Sequence, residues 1–301
     1  MNGIINIYKE PGYTSFDVVA RLRGILKQKK IGHTGTLDPD AQGVLVVCLG
    51  SATKLCEMLT DKDKEYTATL LLGVTTDTED TSGKILTEHE VTCGEEEVRR
   101  AILSFLGKQE QVPPMYSALK QDGKRLYELA HEGIVVDRPP RPIEIYHIEI
   151  LEIQLPRVRF KVQCSKGTYI RSLCRDMGEK LGCGGCMEHL LRNRVSRFTA
   201  EDAHTLSEVE QMKEDGRLSD AILPIDSLFP DYGRLTCRPQ ADRFLYNGNP
   251  LSLQSFERPL NAAELLEDTR FFIYDSEGQL KGMYVYRRSK NMLMPFKMFL
   301  Q

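Results

Sequence analysis

The chain has 301 residues, of which 41% are hydrophobic and 28% are charged, a balance typical of a globular protein with a substantial core. No stretch approaches the roughly 20 consecutive apolar residues that cross a membrane, and the first residues lack the basic region and apolar run of a signal peptide, so we expect a cytoplasmic protein with no membrane contact. The net charge of −3 argues against a protein that binds nucleic acid through overall charge alone, although a local basic surface remains compatible with it.

The eight cysteines are expected to be reduced thiols, because disulfide frameworks belong mainly to small secreted proteins. Cys183 and Cys186 form a CxxC pair with His189 nearby. A structural zinc site normally needs a second pair of Cys or His ligands at matching spacing, and the sequence offers no evident one. Thiols in a Gly-rich turn are therefore favoured over a zinc site.

Hydrophobic periodicity and turn residues predict mixed strands and helices in the first half of the chain. In chain order they are a strand at 3–8, a turn at 9–12, a helix from Thr14 or Ser15 to Leu26, a loop punctuated by glycines at 31–43, a buried apolar segment at 44–49, a strand at 66–72 and an amphipathic helix at 95–106.

The polar side of the first predicted helix is basic. It carries Arg21, Arg23, Lys27, Lys29 and Lys30, with no acidic residue in that run. A solvated helix face and a face that contacts phosphate groups are equally compatible with this pattern.

The second half of the chain predicts further strands, one helix and a domain boundary. In chain order we expect a segment with Pro and Gly at 111–124, a strand at 158–164, a helix at about 169–181, a boundary at 230–233, and short apolar runs at 271–274 and 283–286 separated by a turn at 276–278. This order predicts an α+β fold: a domain of residues 1–232 around a mixed or antiparallel sheet, followed by a small β-rich domain of residues 233–301. The small domain holds ten Lys and Arg against seven Asp and Glu, so it is the more basic part.

Asp38 is the first candidate for chemistry. It lies in the loop punctuated by glycines, and Pro39 disfavours a helical conformation at the residue before it. Gly32, Gly35 and Gly43 would let the backbone approach a ligand closely. An Asp-Pro pair in a turn is more often structural than catalytic, so the loop alone leaves both interpretations open.

Arg171 and Tyr66 are the other candidates. Residues 165–171 (SKGTYIR) join a predicted strand to a helix whose N-terminus could receive an anion. Arg171 lies in the first turn, where the helix dipole mildly disfavours a cation, which suggests a specific partner such as a carboxylate. The residues alone favour the alternative of an exposed arginine paired with a nearby acid. Tyr66, at the head of its strand, is either a core or rim residue or a platform that stacks on a base.

At these motifs the chain closely resembles the TruB family of tRNA pseudouridine-55 synthases. The resemblance rests on motifs in the family's order: Lys9 with Gly12, residues 32–39 (GHTGTLDP) continuing to Leu45, 64–66 (KEY), 76–80 (TDTED), 114–120 (PMYSALK), 165–171 and 247–250 (NGNP). It spans nearly the whole chain. Two departures bear on minor loop contacts: Glu10 stands where the family commonly has Pro, and residues 190–192 read Leu-Leu-Arg where it often has Leu-Arg-Arg.

The resemblance implies a stand-alone enzyme that flips a uridine of the tRNA T loop into a pocket and isomerises it to pseudouridine at position 55, with a role in tRNA folding as a further expectation. It implies these site residues: Asp38 as the catalytic aspartate, Arg171 as its partner, Tyr66 against the target base, Tyr169 lining the pocket, Lys9 and Leu190 supporting it, His33 stabilising the extruded RNA loop, and Asp80 binding substrate within its motif. The small domain would be a PUA-like RNA-binding module.

The reaction conserves all atoms and changes no oxidation state, so we expect no cofactor and no metal. One carboxylate suffices, either as a nucleophile or as a stabiliser of positive charge on the sugar. We expect a monomer that acts on the T stem-loop of tRNA without an obligate protein partner.

Three alternatives remain open. A non-catalytic RNA-binding or RNA-folding protein would not need a carboxylate in its RNA cleft. A guide-RNA-dependent synthase would usually carry terminal extensions. A glycosidase or nucleosidase would usually need a second acid as proton donor, for which Asp77 and Asp80 are the candidates.

Overall fold

The computed structural model describes residues 1–60, 63–121 and 123–300. The α-helices are α1 Ser15–Leu26, α2 Cys56–Thr60, α3 Glu95–Leu103, α4 Leu126–His131, α5 Ile170–Lys180, α6 Leu206–Glu214 and α7 Pro239–Tyr246. Short 3-10 helices lie at Gly50–Leu55, Leu218–Ala221, Ile225–Leu228, Ala262–Glu264 and Arg288–Lys290. None of the helices in these ranges is long and apolar enough to span a membrane.

The strands belong to two larger sheets and two short hairpins. They are β1 Gly3–Lys9, β2 Ile31–His33, β3 Gln42–Leu49, β4 Lys64–Leu72, β5 Val74–Thr76, β6 Ile85–Glu88, β7 Gly107–Gln111, β8 Lys120–Gln121, β9 Lys124–Arg125, β10 Arg141–Gln154, β11 Arg157–Cys164, β12 Gly185–Val195, β13 Phe198–Thr199, β14 Gly233–Thr236, β15 Leu251–Ser252, β16 Arg270–Tyr274, β17 Leu280–Arg287 and β18 Met292–Met298.

A nine-stranded mixed sheet forms the centre of the molecule. Its order is β1-β3-β12-β4-β11-β10-β7, with β2 beside β3 and β13 beside β12. The strands β3 and β12 pair in parallel, whereas β1 with β3 and β12 with β4 pair antiparallel. This arrangement, with helices packed on the sheet, confirms the predicted α+β class.

The helix α1 covers the β1–β3 half of one sheet face. Thr14 caps its N-terminus by accepting a hydrogen bond from the backbone N–H of Asp17, and the Asp17 carboxylate accepts one from the backbone N–H of Thr14 in return. Its apolar residues recur at helical spacing and pack with α6 on the two strands. The buried members of this cluster include Val18, Val19, Leu22, Ile25 and Leu26 from α1, and Ile5, Ile7, Leu45, Val47 and Leu49 from the sheet.

The helices α3 and α5 cover the other half of the same face. Alternate residues of β4 and β11 point toward them, among them Leu70, Val158 and Phe160, which are fully buried. The residues between them point to the opposite, more polar face. The predicted helix at 95–106 ends earlier, at Leu103, because the chain turns there and Gly107 opens β7 with φ 98°.

One row of paired residues across four neighbouring strands positions the site. Lys9 pairs with Gly43, Gly43 with Arg192, and Arg192 with Tyr66, so residues from β1, β3, β12 and β4 lie side by side across the sheet. Gly43 has φ 104°, and a Cβ atom there would lie 2.3 Å from the carbonyl oxygen of Arg192. Only glycine lets the two strands approach this closely at that conformation.

The C-terminal sheet is smaller and has the order β14-β16-β17-β18-β15, with α7 packed beside it. Gly233, the first residue of the predicted small domain, is the first residue of β14. Phe272, Met283 and Phe299 of this region belong to the same buried cluster as Ile4 and Val44 of the nine-stranded sheet. The two sheets therefore share an apolar core. The β-rich C-terminal region is consistent with the predicted PUA-like domain.

Candidate active site

An ion pair between Asp38 and Arg171 lies at the centre of the site. The Nη2 atom of Arg171 is 3.0 Å from Oδ1 of Asp38, and its Nε atom is 3.0 Å from Oδ2. The guanidinium therefore contacts both carboxylate oxygens, a geometry that fixes direction as well as charge. The Arg171 side chain is 7% exposed and that of Asp38 is 33% exposed, so the carboxylate is the member that a substrate can reach.

Arg171 also joins the Asp38 loop to two other segments. Its Nη1 atom donates to the carbonyl of Thr78 at 3.0 Å and lies 3.6 Å from the carboxylate of Asp80, and its Nη2 atom donates to the carbonyl of Tyr116 at 2.8 Å. Arg171 lies in the first turn of α5, as the sequence predicts. These contacts offset the unfavourable helix dipole at that position.

Burial raises the pKa of the Asp38 carboxyl above its usual value, and the guanidinium of Arg171 opposes that effect. The carboxylate therefore accepts its proton at a higher pH than a free aspartate does.

Lys9 holds the loop that carries Asp38 from the buried side of that loop. It is fully buried, and its Nζ atom donates to the carbonyls of Pro39 at 2.8 Å and Ala41 at 2.6 Å. Burial lowers the pKa of Lys9 to about 8, while the charge of Asp38 acts in the opposite direction. Lys9 thus shapes the loop and does not project into the cleft.

Arg192 holds the same loop from the neighbouring strand, a role that the sequence does not predict. It is 2% exposed, and it donates to the carbonyls of Val44 at 2.7 Å, Thr36 at 3.2 Å and Gly35 at 3.1 Å. The residue stands in the 190–192 segment where the sequence departs from the family pattern. Its partners lie about 150 positions earlier, so no local pattern reveals them.

Apolar and aromatic side chains surround the ion pair. Tyr66 is 7% exposed, and burial raises the pKa of its hydroxyl to about 12. Leu190 is 8% exposed and shares a cluster with Tyr66 and with Leu37, the residue before Asp38. Tyr169 is half-buried at the start of α5, where Gln111 bonds both its backbone N–H and its carbonyl, at 2.8 and 3.0 Å.

The two remaining predicted site residues are Asp80 and His33. Asp80 organises its own turn by accepting hydrogen bonds from the hydroxyls of Thr78 at 2.7 Å and Ser82 at 2.5 Å, besides facing Arg171. His33 lies on β2, where burial and the charge of Arg192 lower the pKa of its imidazole. Among the described atoms its Nδ1 is buried without a hydrogen-bond partner.

A second ion pair lies behind the first, one turn farther along α5. Glu79 is 8% exposed, pairs with Arg175, and accepts a hydrogen bond from the hydroxyl of Ser172 at 2.5 Å. Burial raises the pKa of the Glu79 carboxyl. This pair anchors the turn that presents the Thr78 carbonyl to Arg171. In the sequence Glu79 looks like an exposed loop residue, because its burial depends on a helix about 90 positions later.

The eight cysteines are all free thiols, and Cys183 and Cys186 are both buried. In the part of the chain that the structure describes, no group of three or more His, Cys, Asp or Glu side chains is arranged to hold a metal ion. The chemistry that the site offers directly is that of a carboxylate held by a guanidinium beside an aromatic pocket. Such a carboxylate can attack an electrophilic carbon or stabilise a developing cation.

Comparison with known proteins identifies the family. The family model described as the N-terminal domain of TruB family pseudouridylate synthases matches residues 23–170, and the model for the C-terminal domain of tRNA pseudouridylate synthase B matches residues 171–230. The border between the models falls within one sheet, since β12 pairs with β3 and β4.

Full-length relatives and solved structures agree with these matches. A tRNA pseudouridine synthase B of Lachnoclostridium phytofermentans is 50% identical over 308 residues, covering 100% of both chains. A tRNA pseudouridine synthase B of Alkaliphilus oremlandii is 49% identical over 249 residues, covering 83% of this chain and 82% of the relative. The crystal structure of a Cbf5-Nop10-Gar1 complex matches with a TM-score of 0.70 at 28% identity, over 99% of this chain and 85% of that one. The chain therefore belongs to the TruB family of pseudouridylate synthases.

Proposed function

We propose that this protein isomerises uridine to pseudouridine at position 55 in the T loop of tRNA, with Asp38 as the catalytic carboxylate. The observation that carries the proposal is the two-point contact between Arg171 and Asp38, because it aims an ionised carboxylate into the cleft from a loop that is fixed on three sides. The names of the relatives support tRNA as the substrate.

The reaction breaks the bond between ribose C1′ and uracil N1, turns the base, and forms a bond from C1′ to C5. Asp38 either attacks the sugar as a nucleophile or stabilises the positive charge that develops on it. Arg171 keeps the carboxylate ionised and oriented, against the desolvation that raises its pKa. The reaction is redox-neutral and conserves atoms, so these groups need no cofactor or metal.

The target uridine must leave its stack to reach Asp38, which costs a few kcal/mol. Tyr66, Tyr169 and Leu190 offer an apolar and aromatic surface for the flipped base, and stacking on an aromatic ring offsets part of that cost. The same surface excludes water, which would otherwise compete for the detached sugar. His33 and Asp80 bind the RNA outside the base pocket in this proposal.

Residues 1–232 form the catalytic domain, and residues 233–301 form a PUA-like RNA-binding domain with an excess of basic residues. The enzyme acts in the cytoplasm as a monomer without an obligate protein partner, and it assists tRNA folding. The matched solved structures include a complex with Nop10 and Gar1, so the guide-dependent alternative is the one to test against.

The decisive experiment is tritium release from a tRNA transcript labelled at uridine C5, because bond formation at C5 expels that hydrogen. We expect release by the wild type, none by Asp38→Asn, and affinity for tRNA within a few fold in both. Asp40→Asn is a matched control, because Asp40 is exposed two positions along the same loop.

Turnover by Asp38→Asn would remove Asp38 from the catalytic role. No release by folded wild type on free tRNA would favour the guide-dependent or the non-catalytic alternative. A faster return of misfolded tRNA to its native form in the presence of Asp38→Asn would support the folding role separately.

A further inference from the structure

We propose that one stripe of α1, of which three residues are exposed and Arg23 is half-buried, binds the sugar-phosphate backbone of the RNA beside the catalytic cleft. The stripe consists of Phe16, Arg23, Gly24 and Lys27, and we call it the α1 stripe. The inference rests on the proposed function, since it requires an RNA substrate in the cleft. It adds a docking surface to the base pocket.

The α1 stripe begins at the catalytic loop. The hydroxyl of Ser15 accepts a hydrogen bond from the backbone N–H of Leu37 at 2.8 Å and lies 3.2 Å from its carbonyl, directly before Asp38 in the chain. The next residue, Phe16, has a relative exposure of 65%. An α-helix rises about 1.5 Å per residue, so Lys27 lies about 16 Å farther from the cleft. An RNA segment that leaves the cleft along α1 would pass over the whole stripe.

The charge around the stripe is predominantly positive. Arg21, Lys27, Lys29 and Lys30 are exposed, and none of them forms an ion pair within the described residues. The acid of this helix, Asp17, uses its carboxylate to cap Thr14. A group of exposed cations without ion-pair partners is typical of a surface that neutralises phosphate groups.

Gly24 is the first residue whose placement the fold does not explain. It lies in the last turn of α1, where glycine is less stable than alanine. A Cβ atom at this position would meet no heavy atom within 4 Å, so no neighbour in the described chain requires glycine there. A glycine on an exposed helix face instead leaves room for a partner's backbone.

Lys27 is the second residue whose placement the fold does not explain. It terminates α1 in the left-handed conformation, with φ 50° and ψ 40°, where glycine or asparagine is the usual residue. The chain therefore keeps a cation where the backbone favours glycine, and a glycine where the backbone favours alanine. Both lie on the α1 stripe. A cation at a helix C-terminus interacts favourably with the helix dipole, but the left-handed backbone at Lys27 and the helical backbone at Gly24 would each be more stable with another residue, and such departures are expected at binding surfaces.

Phe16 completes the stripe at its cleft end. The guanidinium of Arg23 lies 5.8 Å from the centre of the Phe16 ring, at the outer limit of a cation–π contact. An exposed ring beside a cleft for a flipped base is suited to stack on a neighbouring unstacked base. We assign phosphate contacts to the cations and a stacking contact to Phe16.

The test is the affinity for an unmodified tRNA transcript over a range of salt concentrations, together with the melting temperature of each variant. Lys27→Asn keeps a residue that tolerates the left-handed conformation. It should leave the melting temperature unchanged or higher, weaken binding three- to ten-fold at low salt, and lower the slope of log affinity against log salt by about 0.7 to 1. Gly24→Gln should raise the melting temperature and weaken binding at least three-fold. Phe16→Ala should weaken binding at least five-fold with an unchanged salt slope.

Arg159→Gln is the matched control, because Arg159 is an exposed cation on the opposite face of the sheet. It should leave affinity and salt slope as in the wild type. If Lys27→Asn and Gly24→Gln bind tRNA like the wild type, the α1 stripe does not contact RNA and the inference is overturned. Tritium release by the wild type is measured separately, and its absence would overturn the proposed function instead.

Discussion

Replacing Arg175 with methionine tests how strongly the ion pair between Glu79 and Arg175 supports the candidate active site. Glu79 and Arg175 are paired with side-chain exposures of only 10% and 19%. In the variant the Glu79 carboxylate keeps the hydroxyl of Ser172 as a donor and loses its ion-pair partner, and Asp176 loses the same partner. Removing one member of a buried ion pair leaves the other charge unpaired and lowers the free energy of unfolding by about 3–5 kcal/mol. We expect a loss of about 3 kcal/mol in the free energy of unfolding at pH 8, at the low end of that range because Arg175 retains some exposure.

The pH dependence of that loss identifies its cause. Burial already raises the pKa of Glu79, and removing Arg175 raises it further. An acid whose pKa is higher in the folded state favours folding below its unfolded pKa and loses that contribution as the pH rises through its folded pKa. The loss in Arg175→Met should therefore be smaller at pH 5 than at pH 8.

Urea denaturation at both pH values provides the measurement, with the double variant Glu79→Gln/Arg175→Met as the control. The double variant should recover part of the stability at pH 8 and show a weaker pH dependence, because only the more exposed partner of Arg175, Asp176, is then left without its cation. An equal loss for Arg175→Met at pH 5 and pH 8, or a loss below about 1 kcal/mol, would refute the role assigned to this pair.

Three further substitutions test the site itself. Tyr66→Phe should retain measurable tritium release, since the hydroxyl stays protonated up to a pKa of about 12 and the ring remains, whereas Tyr66→Leu should lose most of it; equal rates would exclude stacking by the ring. Arg171→Lys should lower kcat at least ten-fold in the same assay, because an ammonium cannot contact both Asp38 oxygens as the guanidinium does; an unchanged kcat would make the two-point contact irrelevant. Gly43→Ala should lower the free energy of unfolding by about 3 kcal/mol or more in urea denaturation, since φ is 104° and a Cβ atom would lie 2.3 Å from a backbone oxygen; a fully stable variant would contradict the close approach of β3 and β12.

Regular periodicity in the sequence predicted the elements that follow it. The helix α1 follows from apolar residues at helical spacing after Thr14, and β11 follows from the alternation of Val158, Phe160 and Val162. The strands β10 and β12 were not predicted. Both contain register shifts, for example between Met187 and His189, that break the alternation on which such a prediction depends.

The residues of the candidate site likewise divide into those that the sequence predicted and those that it did not. Asp38, Arg171 and Tyr66 stand in motifs that can be recognised from the sequence, and the structure brings them together. The roles of Arg192 and Glu79 could not be predicted, although both stand in segments compared with the family pattern, because distant parts of the chain decide their burial. Contacts with backbone carbonyls, such as those of Arg192, leave no signature in the partner's residue type.

The apolar core between the two sheets has a mechanical consequence for substrate choice. Phe272, Met283 and Phe299 pack into the nine-stranded sheet, so the C-terminal region cannot swing on a linker without exposing a buried face. The span between the Asp38 carboxylate and the C-terminal sheet is therefore fixed by the protein. Under the proposed function, an RNA that contacts both places must match that span, so a distance within the folded RNA would contribute to the choice of substrate.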